Sequence, residues 1–270
     1  MSPIRLLACD LDGTLADRDG RIGDATVAAL ARARRRGILT VLATGRLPFA
    51  LPPFLDRLGI TTEPFIAAQG ALIGYRDGRL LRRLALATDV ARAAAVVAHR
   101  LGAGMAYFHE DEILIDRYVF PPEQYEVWFG HHGRLVPDAV ERLDGRLIKF
   151  MAIHPQVEVV PDLVTALRTE LGGRAEVVRS WHHFVEGTTP GADKGAALAW
   201  LCARLGIGRD EVLAIGDGGN DVTMLRWAAY SAAPADADPA ALAVAGWVAP
   251  PLDAQPVAAA LAHFLGIDGG

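Results

Sequence analysis

Four short polar clusters interrupt an otherwise apolar chain, and their residue types suit one kind of chemistry. The first is Asp10-Leu11-Asp12-Gly13-Thr14, which ends the apolar run "IRLLAC". The second is Thr44-Gly45-Arg46, after "ILTVLA". The third is Lys194 in "ADKGAALAW", and the fourth is "GDGGND", with Asp217, Asn220 and Asp221 after "EVLAI". This inventory is rich in carboxylates, with a hydroxyl, an amide, a lysine and a nearby arginine beside them. Such an oxygen set suits a hard cation such as Mg²⁺, which takes oxygen ligands and keeps several waters. Lys194 and the Thr44 hydroxyl suit phosphate oxygens. A carboxylate, Mg²⁺ and a phosphate-binding lysine together point to phosphoryl transfer.

The spacing of the first cluster sharpens that reading. Residues i and i+2 of a strand share a face, so Asp10 and Asp12 repel unless a positive charge lies between them. With a cation there, Asp10 is the candidate nucleophile, since carboxylates form aspartyl-phosphate intermediates. Asp12 is close enough to protonate a leaving oxygen and then to activate the hydrolytic water.

Residues this far apart in sequence need a scaffold that gathers them. Both ends of the chain alternate apolar strand runs with single helices, the pattern of a parallel sheet with right-handed crossovers. "DATVAALARARRR" is a helix that Asp24 or Thr26 is placed to cap and Gly37 to stop. In a parallel sheet the carboxyl ends of all strands face one edge, where ligands bind. The middle reads differently. Asp77-Gly78 marks a hairpin, and the helices and strands that follow alternate less regularly, as in an α+β domain. The expected organisation is one α/β domain made of residues 1–82 and 188–270, interrupted by an α+β insertion at 83–187.

Composition excludes several alternatives. The net charge of −5 gives no electrostatic footprint for nucleic acid, and the arginines at 32 and 34–36 read as a solvated helix face. No apolar run is long enough to span a bilayer, the first residues do not read as a signal peptide, and two isolated cysteines fit a reducing compartment. A cytoplasmic protein is expected, with a small phosphorylated metabolite as its partner; nothing in the sequence sets an oligomeric state. An EF-hand fails because Leu15 stands where its loop needs glycine. A P-loop fails because Asp193 precedes Lys194. The pairs His131-His132 and His182-His183 lack cysteine partners for zinc, and on a strand neighbours would point to opposite faces.

In order, "DLDGTL", "ATGR", "DKG" and "GDGGNDVTML" resemble the haloacid dehalogenase (HAD) superfamily, over the whole chain. Within it the resemblance is to the Cof-type, class IIB branch, phosphatases with a large α+β cap inserted into a Rossmann-like parallel-sheet core. The resemblance implies Asp10 as nucleophile and Asp12 as general acid/base. It implies Mg²⁺ held by the Asp10 side chain, the Asp12 carbonyl and Asp217, with Asp221 acting through water or supporting contacts. Leu11, Thr44, Gly45, Lys194 and Asn220 would hold the phosphate. The branch commonly has Asn-Gly-Ala where this chain has Gln69-Gly70-Ala71, so Gln69 is expected to alter a contact to the rest of the substrate. Arg46, His183 and Glu186 are further candidate substrate contacts, Glu186 alternatively a hinge hydrogen-bond acceptor. A phosphomutase of the same superfamily, or a phosphate- or Mg²⁺-sensing regulator without turnover, are the rival readings; Asp12 argues against the regulator, because a binder needs no acid/base.

Overall fold

A computed structural model of the chain describes residues 3–267, apart from the His131 side chain. In chain order the first elements are β1 (Leu6–Cys9), α1 (Asp24–Arg35), β2 (Leu39–Leu42), α2 (Pro52–Leu58), β3 (Phe65–Ala67), β4 (Leu72–Gly74) and β5 (Leu80–Arg83). Then come α3 (Thr88–Arg100), β6 (Gly104–Phe108), β7 (Ile113–Ile115), α4 (Pro122–Phe129), β8 (Gly133–Leu135), β9 (Lys149–Ile153), α5 (Val160–Leu171), β10 (Glu176–Arg179) and β11 (Phe184–Thr188). The chain closes with α6 (Lys194–Leu205), β12 (Val212–Ile215), α7 (Val222–Trp227), β13 (Tyr230–Pro234), α8 (Pro239–Leu242), β14 (Trp247–Ala249) and α9 (Pro256–Leu265). These form two compact units, Met1–Arg83 with Ala192–Gly270, and Leu84–Gly191.

The first unit is built on a five-stranded sheet in the order β14-β13-β12-β1-β2, every pair parallel. Its central strands β1 and β12 are short apolar runs with fully buried side chains, as a sheet covered on both faces requires, while the edge strand β14 is partly exposed. The order turns back on itself at β1, which has β2 on one side and β12 on the other. That is the topological switch point, where the loops after two neighbouring strands diverge and leave a crevice. A bridge between Ala43 and Ile66 carries β2 on towards β3, and β3, β4 and β5 form a separate antiparallel sheet around the Asp77-Gly78 turn.

The helix α1 departs from the expected capping. Its N-cap is Gly23, and neither Asp24 nor Thr26 caps it. Instead the side-chain oxygen of Gln255, at the start of α9, accepts the Thr26 N–H at 2.9 Å. A Cβ at position 23 would collide with that same Gln255 amide, so glycine leaves room for a cap supplied by a distant residue. Asp24 turns outward and pairs with Arg57.

The second unit has a six-stranded sheet in the order β10-β11-β9-β6-β7-β8, antiparallel except for β7 with β8. Apolar side chains of α3 and α5, among them Val90, Ala94, Leu163 and Leu167, share a core with Tyr107, Phe150 and Val185 from the sheet. The histidine pairs lie off the strands: His132 is in a 3₁₀ turn and His183 in the bend before β11, so the opposite-faces argument does not apply to them. The His131 side chain lies outside the described residues. Among the described residues no helix is long and apolar enough to cross a membrane.

Candidate active site

The two strands at the switch point each end in an acid. Asp10 follows β1 directly, its N–H still in the ladder with the Ile215 carbonyl (2.9 Å), and its side chain is buried. Asp217 follows β12 one residue after Gly216 and is half-buried. The chain then tightens after Asp10 into a turn closed by Leu15 and Ala16 N–H groups donating to the Leu11 carbonyl. Gly13 sits in that turn at φ +84°, and a Cβ there would run into the Asp217 carboxylate. Glycine is therefore doubly required, for the backbone angle and for the approach of Asp217. One residue on, the Thr14 hydroxyl donates to Asp217 Oδ1 at 2.6 Å.

Lys194 joins the two loops from a third direction. It is the first residue of α6, whose N-cap Asp193 accepts the Ala196 N–H at 2.9 Å. The Gly195 N–H donates to Thr223 Oγ1 at 3.1 Å, tying the start of α6 to α7. The lysine side chain is fully buried, and its Nζ lies 2.7 Å from both Asp10 Oδ1 and Asp221 Oδ1. The other Asp221 oxygen accepts the N–H groups of Asp217 (3.0 Å) and Gly218 (2.9 Å). Asp221 thus orients Lys194 with one oxygen and folds the Asp217 loop with the other.

Burial and charge work against each other here. Burial raises the Asp10 carboxyl to about 7; Lys194 pulls it down, and Asp221 pushes it up again. Asp217 is raised for the same primary reason, burial, with the Thr14 hydrogen bond opposing. Burial disfavours the Lys194 charge, but Asp10 and Asp221 outweigh it and hold the ammonium above its ordinary value. One lysine does not neutralise three clustered carboxylates. Asp10, Asp217 and Asp221 each offer an oxygen, all within 4.8 Å of one another, and together can hold a metal ion. An all-oxygen donor set in which burial pushes Asp10 and Asp217 towards protonation fits a hard divalent cation.

The remaining core candidates gather in neighbouring loops of the same unit. Thr44 is buried after β2, and its hydroxyl accepts the Arg46 N–H at 3.1 Å. Gly45 lies against the Gln69 amide, whose nitrogen would be 2.5 Å from a Cβ there. Gln69 is held in a left-handed conformation (φ 58°), next to Ala68 at φ 51°. Its side-chain oxygen accepts from Asn220 Nδ2 at 3.0 Å, so the loops carrying Gly45, Gln69 and Asn220 meet. Asp12 is exposed and forked by Arg46 at 2.6 and 2.9 Å. Leu11 is buried between the two acids.

His183 and Glu186 belong to the second unit and have partners within it. His183 Nδ1 is 2.9 Å from the His154 carbonyl, and its ring meets Phe120 edge to face. Glu186 on β11 pairs with Lys149 on β9 at 2.7 Å. The sequence assigns no role to Thr14. The surplus of acids over cations in the motifs predicts that Lys194 balances the carboxylates, but it does not single out Asp221 as a partner.

A family model for haloacid dehalogenase-like hydrolases matches residues 7–261. The chain belongs to that family. Among HAD-like relatives, an HMP-PP phosphatase of Escherichia coli is 31% identical over 223 residues, covering 82% of this chain and 80% of its own. A structure described as the HAD subclass IIB sugar phosphatase BT4131 superposes with a TM-score of 0.79 at 25% identity, covering 97% of this chain and 99% of that one. The chain also matches a chloroplast protein of Arabidopsis thaliana named endoribonuclease YBEY, at 27% identity over 235 residues, but spans only 40% of its length. The HAD membership makes the chain a hydrolase, of the branch whose relatives are named phosphatases.

Proposed function

We propose that this HAD hydrolase is a Mg²⁺-dependent phosphatase of small phosphorylated metabolites, acting through an aspartyl-phosphate on Asp10. The observation that carries the reading is the buried Lys194 bridging Asp10 and Asp221 beside Asp217. That arrangement leaves a carboxylate at the crevice, a cation-binding set of oxygens and a lysine for the phosphate.

In the first step an Asp10 oxygen attacks phosphorus, and the bond from phosphorus to the ester oxygen breaks. Asp12 gives its proton to the departing oxygen. In the second step water attacks the phospho-enzyme, Asp12 takes a proton from it, and Asp10 is released with inorganic phosphate. Asp10 and Asp217, with the Asp12 carbonyl, would hold the Mg²⁺, which when bound screens the acids from one another and from the phosphate. Asp221 acts mainly through Lys194 and the Asp217 loop, because both its oxygens are engaged. Lys194, the Thr44 hydroxyl, Asn220 and the backbone at Leu11 and Gly45 would receive the phosphate oxygens. The names of the HMP-PP and sugar phosphatases support a small organic phosphate as substrate, and the buried free cysteines support a cytoplasmic setting.

The test is a broad panel of phosphate esters with Mg²⁺, reading inorganic phosphate. Release of phosphate that stops on chelation is expected. A flat response across the panel would overturn the proposal.

A further inference from the structure

We propose that Arg46 is a positioning residue for Asp12, and not the substrate contact its place in the motif suggests. The inference rests on Asp12 being the acid/base of the reaction proposed above. Arg46 is held through both its backbone and its guanidinium. Its N–H donates to Thr44 Oγ1 and its carbonyl accepts the Ala68 N–H at 2.8 Å, which fixes the backbone from two loops. Its guanidinium lies over the Phe54 ring, 4.7 Å from the centroid. Two different nitrogens, Nε and Nη2, donate to the two oxygens of Asp12.

A fork of this kind contributes mainly direction. The Arg46 side chain is 37% exposed and that of Asp12 49%, so water screens the pair and its contribution to stability is small. A planar guanidinium bonded through two nitrogens nevertheless fixes the plane and the rotamer of the carboxylate. Asp12 needs that restraint. It stands two residues after Asp10, and nothing else among its described hydrogen-bond partners holds its side chain. A general acid must lie within hydrogen-bond reach of the leaving oxygen. Arg46, steadied by Phe54 from α2, supplies that restraint.

The experiment compares an alkyl phosphate, whose alkoxide leaving group needs a proton, with an activated aryl phosphate, which does not. Wild type, Asp12→Ala, Arg46→Ala, Arg46→Lys and the Asp12→Ala/Arg46→Ala double variant are measured for kcat, KM and vanadate inhibition. Arg46→Ala is expected to lower kcat/KM on the alkyl ester by about 10- to 100-fold and to leave vanadate affinity and kcat/KM on the aryl ester, whose leaving-group step needs no proton, nearly unchanged. Arg46→Lys should recover part of the loss, since a point charge attracts Asp12 without fixing its plane. Phe54→Leu should move in the same direction by less. The double variant should be no worse than Asp12→Ala, because a residue acting through another has nothing left to act on. Losses that multiply in the double variant, or a uniform rise in KM with weaker vanadate inhibition, would make Arg46 a substrate contact and overturn the proposal. If Asp12→Ala itself shows no dependence on the leaving group, the acid/base reading falls first and the positioning role falls with it.

Discussion

Each of the two units holds its lysine against acid, fully buried in the first and partly buried in the second, and they do so in opposite ways. Lys149 in the second unit faces one acid, Glu186, across neighbouring strands, and its Nζ lies 4.7 Å from the centroid of the Phe108 ring. Its charge is matched one for one. Lys194 in the first unit is shared by Asp10 and Asp221, with Asp217 beside them. There the acids outnumber the cation. A balanced pair demands no further charge; an unbalanced one is a site that needs a further positive charge to be complete. The excess of carboxylate, and not burial of charge as such, separates chemistry from packing in this molecule.

The comparison breaks most visibly at Asp10. Asp10→Asn should lower turnover by at least about 10³-fold while the far-ultraviolet circular dichroism stays that of the wild type, since the amide is nearly isosteric. Beryllofluoride with Mg²⁺ should raise the melting temperature of the wild type and not of this variant. Substantial phosphate release by Asp10→Asn would remove Asp10 as nucleophile.

Lys194→Met comes next. Removing the shared cation leaves clustered acids uncompensated, and urea melts should record a loss of about 3–5 kcal/mol. Added Mg²⁺ should restore part of it, and vanadate binding should be lost. A variant as stable as the wild type without Mg²⁺ would mean that the surplus of acids creates no demand for a cation.

A pH series sharpens the same point. The Asp10 carboxyl is raised by burial to about 7. A raised acid favours the folded state at low pH, and that contribution is lost as pH rises from the ordinary carboxylate range through about 7. Mg²⁺ binds the ionised form, so the gain in melting temperature on adding it should grow across the same window. A gain that is independent of pH would separate the cation from Asp10.

The smallest effect is expected at the balanced pair. Glu186→Ala should cost about 1–2 kcal/mol by leaving Lys149 without its partner. Lys149→Met with Glu186→Leu should recover most of that, because an apolar pair replaces an ionic one. Thermal melts of the three proteins decide it. A double variant less stable than Glu186→Ala would give the pair a role beyond packing.

Much of the scaffold could be read because it is written locally. The apolar runs before Asp10, Thr44 and Asp217 predict strands, and Asp77-Gly78 predicts the hairpin of β4 and β5. Contacts made across long sequence separations left no such trace. Gln255 caps α1 from 229 positions away, and the local rule pointed to Asp24 or Thr26 because it sees only neighbours. Thr14 meets Asp217 across 203 positions, and Arg46 meets Asp12 across 34. In each case the residue type allows several partners, and tertiary geometry selects one. The β7–β8 pairing was hidden for another reason: a strand of three residues carries too little alternation to announce its direction.

The central place of β1 also sets the order in which a ribosome can deliver this enzyme. Leu6 pairs with Val212, so β1 waits for a partner that is synthesised more than 200 residues later. The unit spanning Leu84–Gly191 is continuous and meets no such delay. Loops this long close at a modest entropic cost but slowly. The crevice at Asp10 therefore comes into being late in synthesis, after Asp221 has left the exit tunnel, and a truncated message ending before that point yields a chain without a centre for phosphoryl transfer.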